Sequence, residues 1–369
     1  MLNTILVGDV YNLIDTIPDN YVDLVVTSPP YWGLRNYGTA IWTGGNNDNC
    51  NHEAAKIKTR FDYSLETSLL QKPYVSSDAA QYQIRCPDCN AIQQDYQLGN
   101  EPHFEMYLDK LILLFSKVKR VVKDTGSIWV NLGDTYSTKP VGRYNGKDSD
   151  STSTSGQLDK TLSGITNKSQ IMIPERFAIR MIDELKLIKR NTIIWQKPNP
   201  FPTSATDRFP NDFEYFFFFT KSGKYYFEQQ LESAKSSTIE RLKYGLNSSK
   251  YDDATIQGAI NTISKPHDAR PMRERDYLRN KRCVWEIPTA ASEGGKSGKH
   301  VAPYPERLIE TPIKSCCPDN GIVLDPFMGS GTTGVVARKL NKNFLGIELN
   351  NDYAINAMER INKTERQLF

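Results

Sequence analysis

Two segments carry residue types that could do chemistry, and they lie far apart in the chain. The first is Thr27-Ser28-Pro29-Pro30-Tyr31-Trp32, which follows the apolar run Val22–Val26, read as a buried strand. Proline fixes its own φ and has no N–H, and the residue before it is pushed out of the helical region. A strand that runs straight into two prolines therefore ends in a stiff turn whose carbonyls have few local donors. A hydroxyl (Ser28) and two aromatic rings (Tyr31, Trp32) stand beside it. Stiff acceptors next to a flat ring suit a planar, amino-bearing ligand such as a nucleobase; the same pattern also fits a proline-rich strand exit packed by aromatics.

The second segment is Ile322-Val-Leu-Asp325-Pro-Phe327-Met-Gly329-Ser-Gly331-Thr332-Thr-Gly334, an apolar strand running into an acid and then a Gly-x-Gly-x-x-Gly turn that opens a helix. This spacing lets a ligand lie against bare backbone at a helix N-terminus. The next strand, Phe344–Ile347, ends in Glu348. That acid falls roughly 20 residues after the first glycine, where a carboxylate that binds a ribose is expected. An adenosine-containing ligand is the expectation, against a tight turn whose small residues serve packing alone. A dinucleotide oxidoreductase fits less well, because only one helix's length of chain follows Glu348 and the Ser28–Trp32 turn would have no task. The missing strands can come from the N-terminus, with Thr4–Val7 leading to Gly8-Asp9 as one and Val22–Val26 as another. The sheet is then circularly permuted, and Asp325, Glu348, Asp9 and Ser28 share the rim where open α/β sheets bind ligands.

On these residues the chain resembles the amino-group DNA methyltransferases, in the arrangement where the catalytic tetrapeptide precedes the cofactor loop. Ser28-Pro29-Pro30-Tyr31 matches the catalytic motif, and Asp325-Pro326-Phe327-x-Gly329-x-Gly331, with Thr332 following, matches the cofactor loop. Glu348 matches the ribose acid, Gly8-Asp9 the segment near the adenine, and His300-Val-Ala-Pro303-Tyr-Pro the segment near the methionine end. Ile194–Asn199 is similar to a core strand of that family. The resemblance implies S-adenosylmethionine as cofactor and double-stranded DNA with a flipped target base as substrate. It also implies a restriction-modification context, with a cognate restriction endonuclease as candidate partner. Serine at the first motif position leans toward cytosine-N4, with adenine-N6 as the alternative. A catalytically silent nucleic-acid-binding module is the alternative of another class, and the intact motif pair argues against it. No motif cysteine is present, which disfavours methylation at a ring carbon.

The elements that must position these residues form an alternating α/β pattern, so the expected fold is a doubly wound, mostly parallel, Rossmann-like sheet with insertions. At 369 residues, 38% apolar and 11% aromatic, the chain can bury a large core. The core is read in residues 1–35, 101–230 and 297–369, with a helix over Phe104–Val122, a turn at Lys123–Gly126 and a strand over Ser127–Leu132. Pro174 opens another helix, Leu187–Trp195 is a strand, and Phe213–Thr220 with Tyr225–Phe227 suggests a hairpin. Residues 137–170, rich in Ser, Thr, Gly and Lys, read as a mobile loop. No run approaches the roughly eighteen apolar residues of a membrane span, and no signal-peptide pattern opens the chain, so a cytoplasmic protein is expected.

Two insertions carry further candidates. Residues 36–100 hold Cys50-x-His52 and Cys86-x-x-Cys89, four nitrogen and sulfur donors, the number a closed structural zinc site uses. Unligated thiols beside a surface histidine are the alternative. The remaining cysteines, Cys283, Cys316 and Cys317, read as buried small apolar residues. Net charge is only +3, so any nucleic-acid contact must come from local clustering. Residues 231–296, which resemble the family's target-recognition region, supply it: Arg270, Arg273, Arg275 and Arg279 are the candidate DNA-binding residues, against a solvated, salt-bridged face.

Overall fold

The structure, a computed structural model, describes residues 1–33, 41–47, 49–52, 84–94, 97–101, 103–138, 164–200, 202–234, 278–290 and 303–365. These fall into two compact units, residues 1–226 with 284–369, and residues 227–283.

The first unit is built on an eight-stranded sheet. Its strands are β1 (Thr4–Val7), β2 (Val22–Thr27), β6 (Val122–Leu132), β7 (Ile188–Gln196), β8 (Phe213–Thr220), β11 (Val284–Glu286), β12 (Ile322–Asp325) and β13 (Asn343–Glu348). Their order across the sheet is β1-β13-β12-β2-β6-β8-β7-β11. All pairings are parallel except those of β8, which runs antiparallel to both β6 and β7. The strand that leads into the glycine turn, β12, lies between β13 and β2, and β1 lies beyond β13. One half of the sheet, from the edge strand β1 through β13 and β12 to β2, is therefore assembled from the two ends of the chain.

Burial follows the residue pattern. All six residues of β2 are buried, as expected of a strand covered on both faces. Helix α1 is short (Val10–Leu13) and passes at once into a 3-10 turn over Ile14–Thr16. Helix α2 (Phe104–Val121) buries Phe104, Tyr107, Leu108, Leu111, Ile112, Phe115 and Val118, an i, i+3, i+4 stripe that meets helix α3 (Ile173–Asp183) and the sheet in one apolar cluster. Pro174 stands in the first turn of α3, where its missing N–H costs nothing. Helices α4 (Glu306–Cys316), α5 (Thr332–Lys339) and α6 (Asn351–Asn362) complete the C-terminal part.

The structure departs from the sequence pattern at four places. Lys123–Gly126 is not a turn between elements but an irregularity inside β6: Val22 pairs with Val122, while Leu24 pairs with Ser127. Gly126 is required there, since a Cβ would sit 2.7 Å from the Asp23 carbonyl oxygen. Tyr225–Phe227 forms no strand; β8 pairs with β6 and β7, and the Tyr226 N–H bonds the Thr125 carbonyl at 2.9 Å. Residues 284–286, read within the 231–296 insertion, return to the main sheet as β11. Cys283 is half-exposed, whereas Cys316 and Cys317 are buried as expected.

Of the 36–100 insertion, the described residues form a three-stranded antiparallel sheet, β3 (Ile41–Thr43), β5 (Ile92–Gln94) and β4 (Ile84–Arg85), in that spatial order. The ends of the 137–170 segment are pinned: Tyr136 bridges Gln170, and the Ser137 N–H bonds the Ser169 carbonyl at 2.8 Å. Residues 139–163 lie outside the described residues. In the second unit β9 (Leu231–Ser233) pairs antiparallel with β10 (Leu278–Asn280).

Candidate active site

Because β1, β13, β12 and β2 are parallel neighbours, their C-terminal ends share one edge of the sheet. Asp9, Glu348, Asp325 and Ser28 follow those ends. Two bonds tie the edge together. The Thr27 hydroxyl, one residue before Ser28, donates to the Asp325 carboxylate at 2.7 Å. The Gly8 N–H donates to the Glu348 carbonyl at 2.9 Å. The proline turn and the glycine loop are thus joined directly across 298 residues of sequence.

Asp325 is 1% exposed and surrounded by donors. Besides Thr27 it accepts from the Phe327 N–H at 3.0 Å, the Tyr304 hydroxyl at 2.9 Å and the Thr333 hydroxyl. Burial pushes its pKa above the usual carboxylate value while these hydrogen bonds pull it down. With four donors from its own chain, the side chain organises the loop rather than facing a ligand. Glu348 is placed differently. It is half-buried, one oxygen accepts from the Gly329 N–H at 2.8 Å, and the other accepts from the Asn350 N–H at 3.0 Å. Each carboxylate oxygen can accept a second bond, so the group is aimed and still able to take a diol. Burial raises its pKa as well.

Gly329 and Gly331 have φ of 51° and 80°, which favours glycine. A Cβ on Gly331 would lie 2.9 Å from that of Ala357, so this glycine admits helix α6. Thr332 opens α5 and receives the Arg360 guanidinium at 3.1 Å, which also reaches the Ser330 carbonyl at 3.2 Å. No sequence motif marks Arg360. Asp9 caps α1 by accepting from the Tyr11 N–H at 2.9 Å. Phe327, two residues after Asp325, and Pro303 are half-buried, and His300 lies outside the described residues. A fixed carboxylate on the rim beside a turn of two left-handed glycines fits the ribose and backbone contacts that S-adenosylmethionine requires.

The proline turn is held mainly by residues from other elements. Tyr107 of α2 donates its hydroxyl to the Pro30 carbonyl at 2.9 Å. Trp32 is 1% exposed, and its indole N–H donates to the Glu101 carbonyl at 2.6 Å. The Tyr31 ring lies against Gly133, where a Cβ would come within 2.7 Å of the ring. Its hydroxyl turns inward, 2.8 Å from a Glu214 carboxylate oxygen and 3.1 Å from the Asn131 amide oxygen, and accepts from the Ser28 hydroxyl at 3.4 Å. Glu214 also pairs with Lys197. Burial first, and the Glu214 charge second, push the Tyr31 pKa well above its ordinary 10.0, so the phenol stays protonated. Sequence reasoning misses Asn131, Lys197 and Glu214. The one signal for them is a lone acid in the otherwise apolar run Phe213–Thr220.

Two hollows adjoin these strands. One of about 40 Å³, lined by Asp134, Glu175, Glu214 and Tyr215, touches the Tyr31 anchor. The other, of about 530 Å³, is lined by Asp23, Thr125, Tyr225 and Pro318 and contains none of the predicted site residues.

The four metal candidates also converge. The donor atoms of Cys50, His52, Cys86 and Cys89 all lie within 4.8 Å of one another. Of the DNA-binding candidates, Arg279 pairs with Glu232 at 2.9 Å inside the second unit, and Arg270, Arg273 and Arg275 lie outside the described residues.

A comparison of sequences decides the family. The profile of the N6/N4 DNA methylase family matches residues 22–359. The chain belongs to this DNA methylase family. It is 28% identical over 359 residues to the Type II methyltransferase M.Cfr9I of Citrobacter freundii, covering 97% of this chain and 87% of that one. It is 29% identical over 360 residues to M.SmaI of Serratia marcescens, covering 97% and 90%. Among solved structures, the PvuII DNA methyltransferase (cytosine-N4-specific) superposes with a TM-score of 0.51 at 16% identity over 98% of this chain and 86% of that one, a likeness of fold. The mixed, mostly parallel sheet of this methylase is therefore a methyltransferase sheet. Among the described residues no helix is long and apolar enough to cross a membrane.

Proposed function

We propose that this methylase transfers a methyl group from S-adenosylmethionine to the N4 amino group of a cytosine flipped out of duplex DNA. Its sheet is read as a circularly permuted one in which the catalytic strand β2 precedes the cofactor strand β12 in sequence. The observation that carries the reading is the Thr27–Asp325 hydrogen bond, which puts the amine-holding turn beside the glycine loop.

When bound, the cofactor supplies an electrophilic sulfonium methyl. The chain's part is to make a poor nucleophile competent. An exocyclic amine is conjugated to its ring, and its lone pair is available only as the nitrogen becomes tetrahedral. The Ser28 hydroxyl oxygen and the Pro29 carbonyl accept the amine's hydrogens and stabilise that change, a preorganised electrostatic effect. The Tyr107 bond to Pro30 and the buried Trp32 keep the turn from reorganising. Tyr31, with its hydroxyl anchored on Glu214, offers its ring face to the base. Glu348 holds the ribose, and Asp325 keeps the loop's shape. No covalent enzyme intermediate is needed. The base must leave the stack to reach such a turn.

Serine at the first motif position favours cytosine. The similarity to Type II methyltransferases supports a restriction-modification role with a cognate endonuclease. The region of Arg270, Arg273, Arg275 and Arg279 is assigned to target recognition. The deciding experiment is sequencing of DNA from cells expressing the protein, by a method that separates N4-methylcytosine from N6-methyladenine. N4-methylcytosine in one sequence context is expected. N6-methyladenine would move the assignment to the alternative base, and no modification with intact DNA binding would leave a silent module.

A further inference from the structure

We propose that Cys50, His52, Cys86 and Cys89 bind one structural zinc ion, and that this ion clamps the insertion whose exit holds the Ser28–Tyr31 turn. The four donor atoms lie within 4.8 Å of one another, and two of their pairs stand at the separations of a tetrahedral metal shell. A tetrahedral zinc with Zn–S near 2.3 Å and Zn–N near 2.0 Å separates its sulfurs by about 3.8 Å and sulfur from nitrogen by about 3.6 Å. Cys50 Sγ and Cys86 Sγ lie 3.8 Å apart, and Cys89 Sγ lies 3.4 Å from His52 Nδ1. A sulfur pair at 3.8 Å is far outside a disulfide's length of about 2.05 Å, and all six cysteines are unbridged. Three thiolates and one imidazole form a soft, closed four-donor set that selects zinc and leaves no open position for catalysis.

The surroundings are arranged around the same four atoms. Trp42 stacks on the His52 ring at 4.3 Å and 13°, fixing the imidazole plane. The Ala91 N–H points at Cys89 Sγ at 3.5 Å, as the N–H after a metal-binding knuckle does for a thiolate. The Asn90 N–H closes the Cys86–Asn90 turn on the Cys86 carbonyl at 2.8 Å. Gly45 is needed for the two halves to meet, since a Cβ there would lie 2.9 Å from the Cys89 carbonyl oxygen. The apolar cluster at this place has only Cys86, Cys89 and Ala91 as its buried members among the described residues. Two of those three buried members are themselves candidate ligands, and a metal is a usual staple for a small sheet.

The clamp reaches the proline turn through the chain itself. Only residues 95 and 96 separate β5 from Gln97, and residues 97–101 are fastened to the turn. The Gly33 N–H bonds the Gly99 carbonyl at 2.8 Å, and Trp32 bonds Glu101. A Cβ on Gly99 would sit 3.0 Å from the Tyr31 carbonyl oxygen. Glu101 in turn accepts from the Gly99 N–H at 2.8 Å and pairs with Lys110 of α2 at 2.9 Å.

The test uses the full chain, purified reduced and without chelator. Elemental analysis is expected to find about one zinc per chain, and cobalt(II) put in its place is expected to give the strong visible absorption of tetrahedral thiolate ligation. Cys89→Ser should lose most of the metal, while His52→Cys, which keeps four soft donors, should retain it. Wild-type protein without zinc that also gives no tetrahedral cobalt spectrum would overturn the site, as would a Cys89→Ser chain that holds zinc as wild type does. Should Cys89→Ser fail to fold, the wild-type cobalt titration and His52→Cys decide. The clamp is read separately, by limited proteolysis within residues 36–100 and by methyl transfer with and without the metal. Zinc removal should expose the insertion to protease and slow transfer by about tenfold or more while leaving cofactor affinity unchanged. Unchanged proteolysis and turnover would overturn the clamp. The turnover arm rests on the proposed role of Ser28–Tyr31; metal content and proteolysis do not, so the two readings fail independently.

Discussion

The strand exits at Asp325 and at Ser28 meet on one rim, yet they differ in how much of their support is local. The exit of β12 is held partly from within: Asp325 takes two of its four donors from Phe327 and Thr333, two and eight residues on, and two from Thr27 and Tyr304, while the first glycine is fixed by the carboxylate of the neighbouring strand. The exit of β2 has few local bonds because its prolines supply no N–H. It is stiffened instead by Tyr107, Glu101, Gly133 and Glu214 from four other parts of the fold. A glycine loop carries part of its support within its own contiguous motif. A turn whose prolines supply no N–H has to borrow rigidity from elsewhere.

This contrast makes the two exits separable by mutation. The largest effect expected is from Ser28→Ala, which should lower kcat by about 10²–10³-fold with cofactor affinity intact, as loss of one preorganised polar partner does. Single-turnover methyl transfer and calorimetric cofactor titration check it; unchanged turnover removes Ser28 from the mechanism. Next is Asp325→Asn. One oxygen becomes a donor facing a cluster of hydroxyls, so stability should fall by about 2–4 kcal/mol in denaturant unfolding. Glu348→Gln sets its amide nitrogen against one backbone N–H, so it should cost about 1 kcal/mol of stability, and it should weaken cofactor binding by about tenfold, since a charge-assisted bond to a diol becomes a neutral one. If both acids behaved alike, the division between an organising and a binding carboxylate would fail.

Gly133→Ala probes the borrowed rigidity. Its methyl group should displace the Tyr31 ring and cost about tenfold in kcat with little change in cofactor affinity, because small misplacements at a reacting site are expensive. The smallest effect concerns Glu214→Gln. Its anion favours the neutral phenol, so removing it should lower the Tyr31 pKa from its raised position, and turnover should fall only a few-fold. Carbon NMR of labelled tyrosine, with the signal assigned through Tyr31→Phe, would show whether the ionisation moves toward 10.0.

Much of this molecule is legible in its residues alone. Both strand exits, the helix Phe104–Val121 and the strand Phe213–Thr220 follow from local pattern, because apolar period and proline or glycine placement act over a few residues. Cys50, His52, Cys86 and Cys89 offer a four-donor set by type and number, with unligated thiols as the alternative, and the fold brings their donor atoms within 4.8 Å of one another. Lys123–Gly126 imitates a turn, because a glycine inside a strand has no other explanation until the close approach of Asp23 is seen. Tyr225–Phe227 imitates a strand because an aromatic run after a Ser-Gly pair resembles a hairpin, whereas β8 finds both its partners elsewhere. Asn131, Glu214 and Arg360 carry no motif, and Lys197 lies in the Ile194–Asn199 segment without being singled out there, since each acts through a partner distant in sequence.

The sequence by itself determined the family and the identity of the two chemical segments, because a motif that must form a particular turn is constrained in its own few residues. Only the tertiary structure decided which acid is enclosed by side-chain hydroxyls and which keeps acceptor capacity on the rim. Asp325 and Glu348 are both strand-terminal carboxylates. Their roles part because Thr27, Tyr304 and Thr333 close over one, while two backbone N–H groups aim the other and leave it room to accept more.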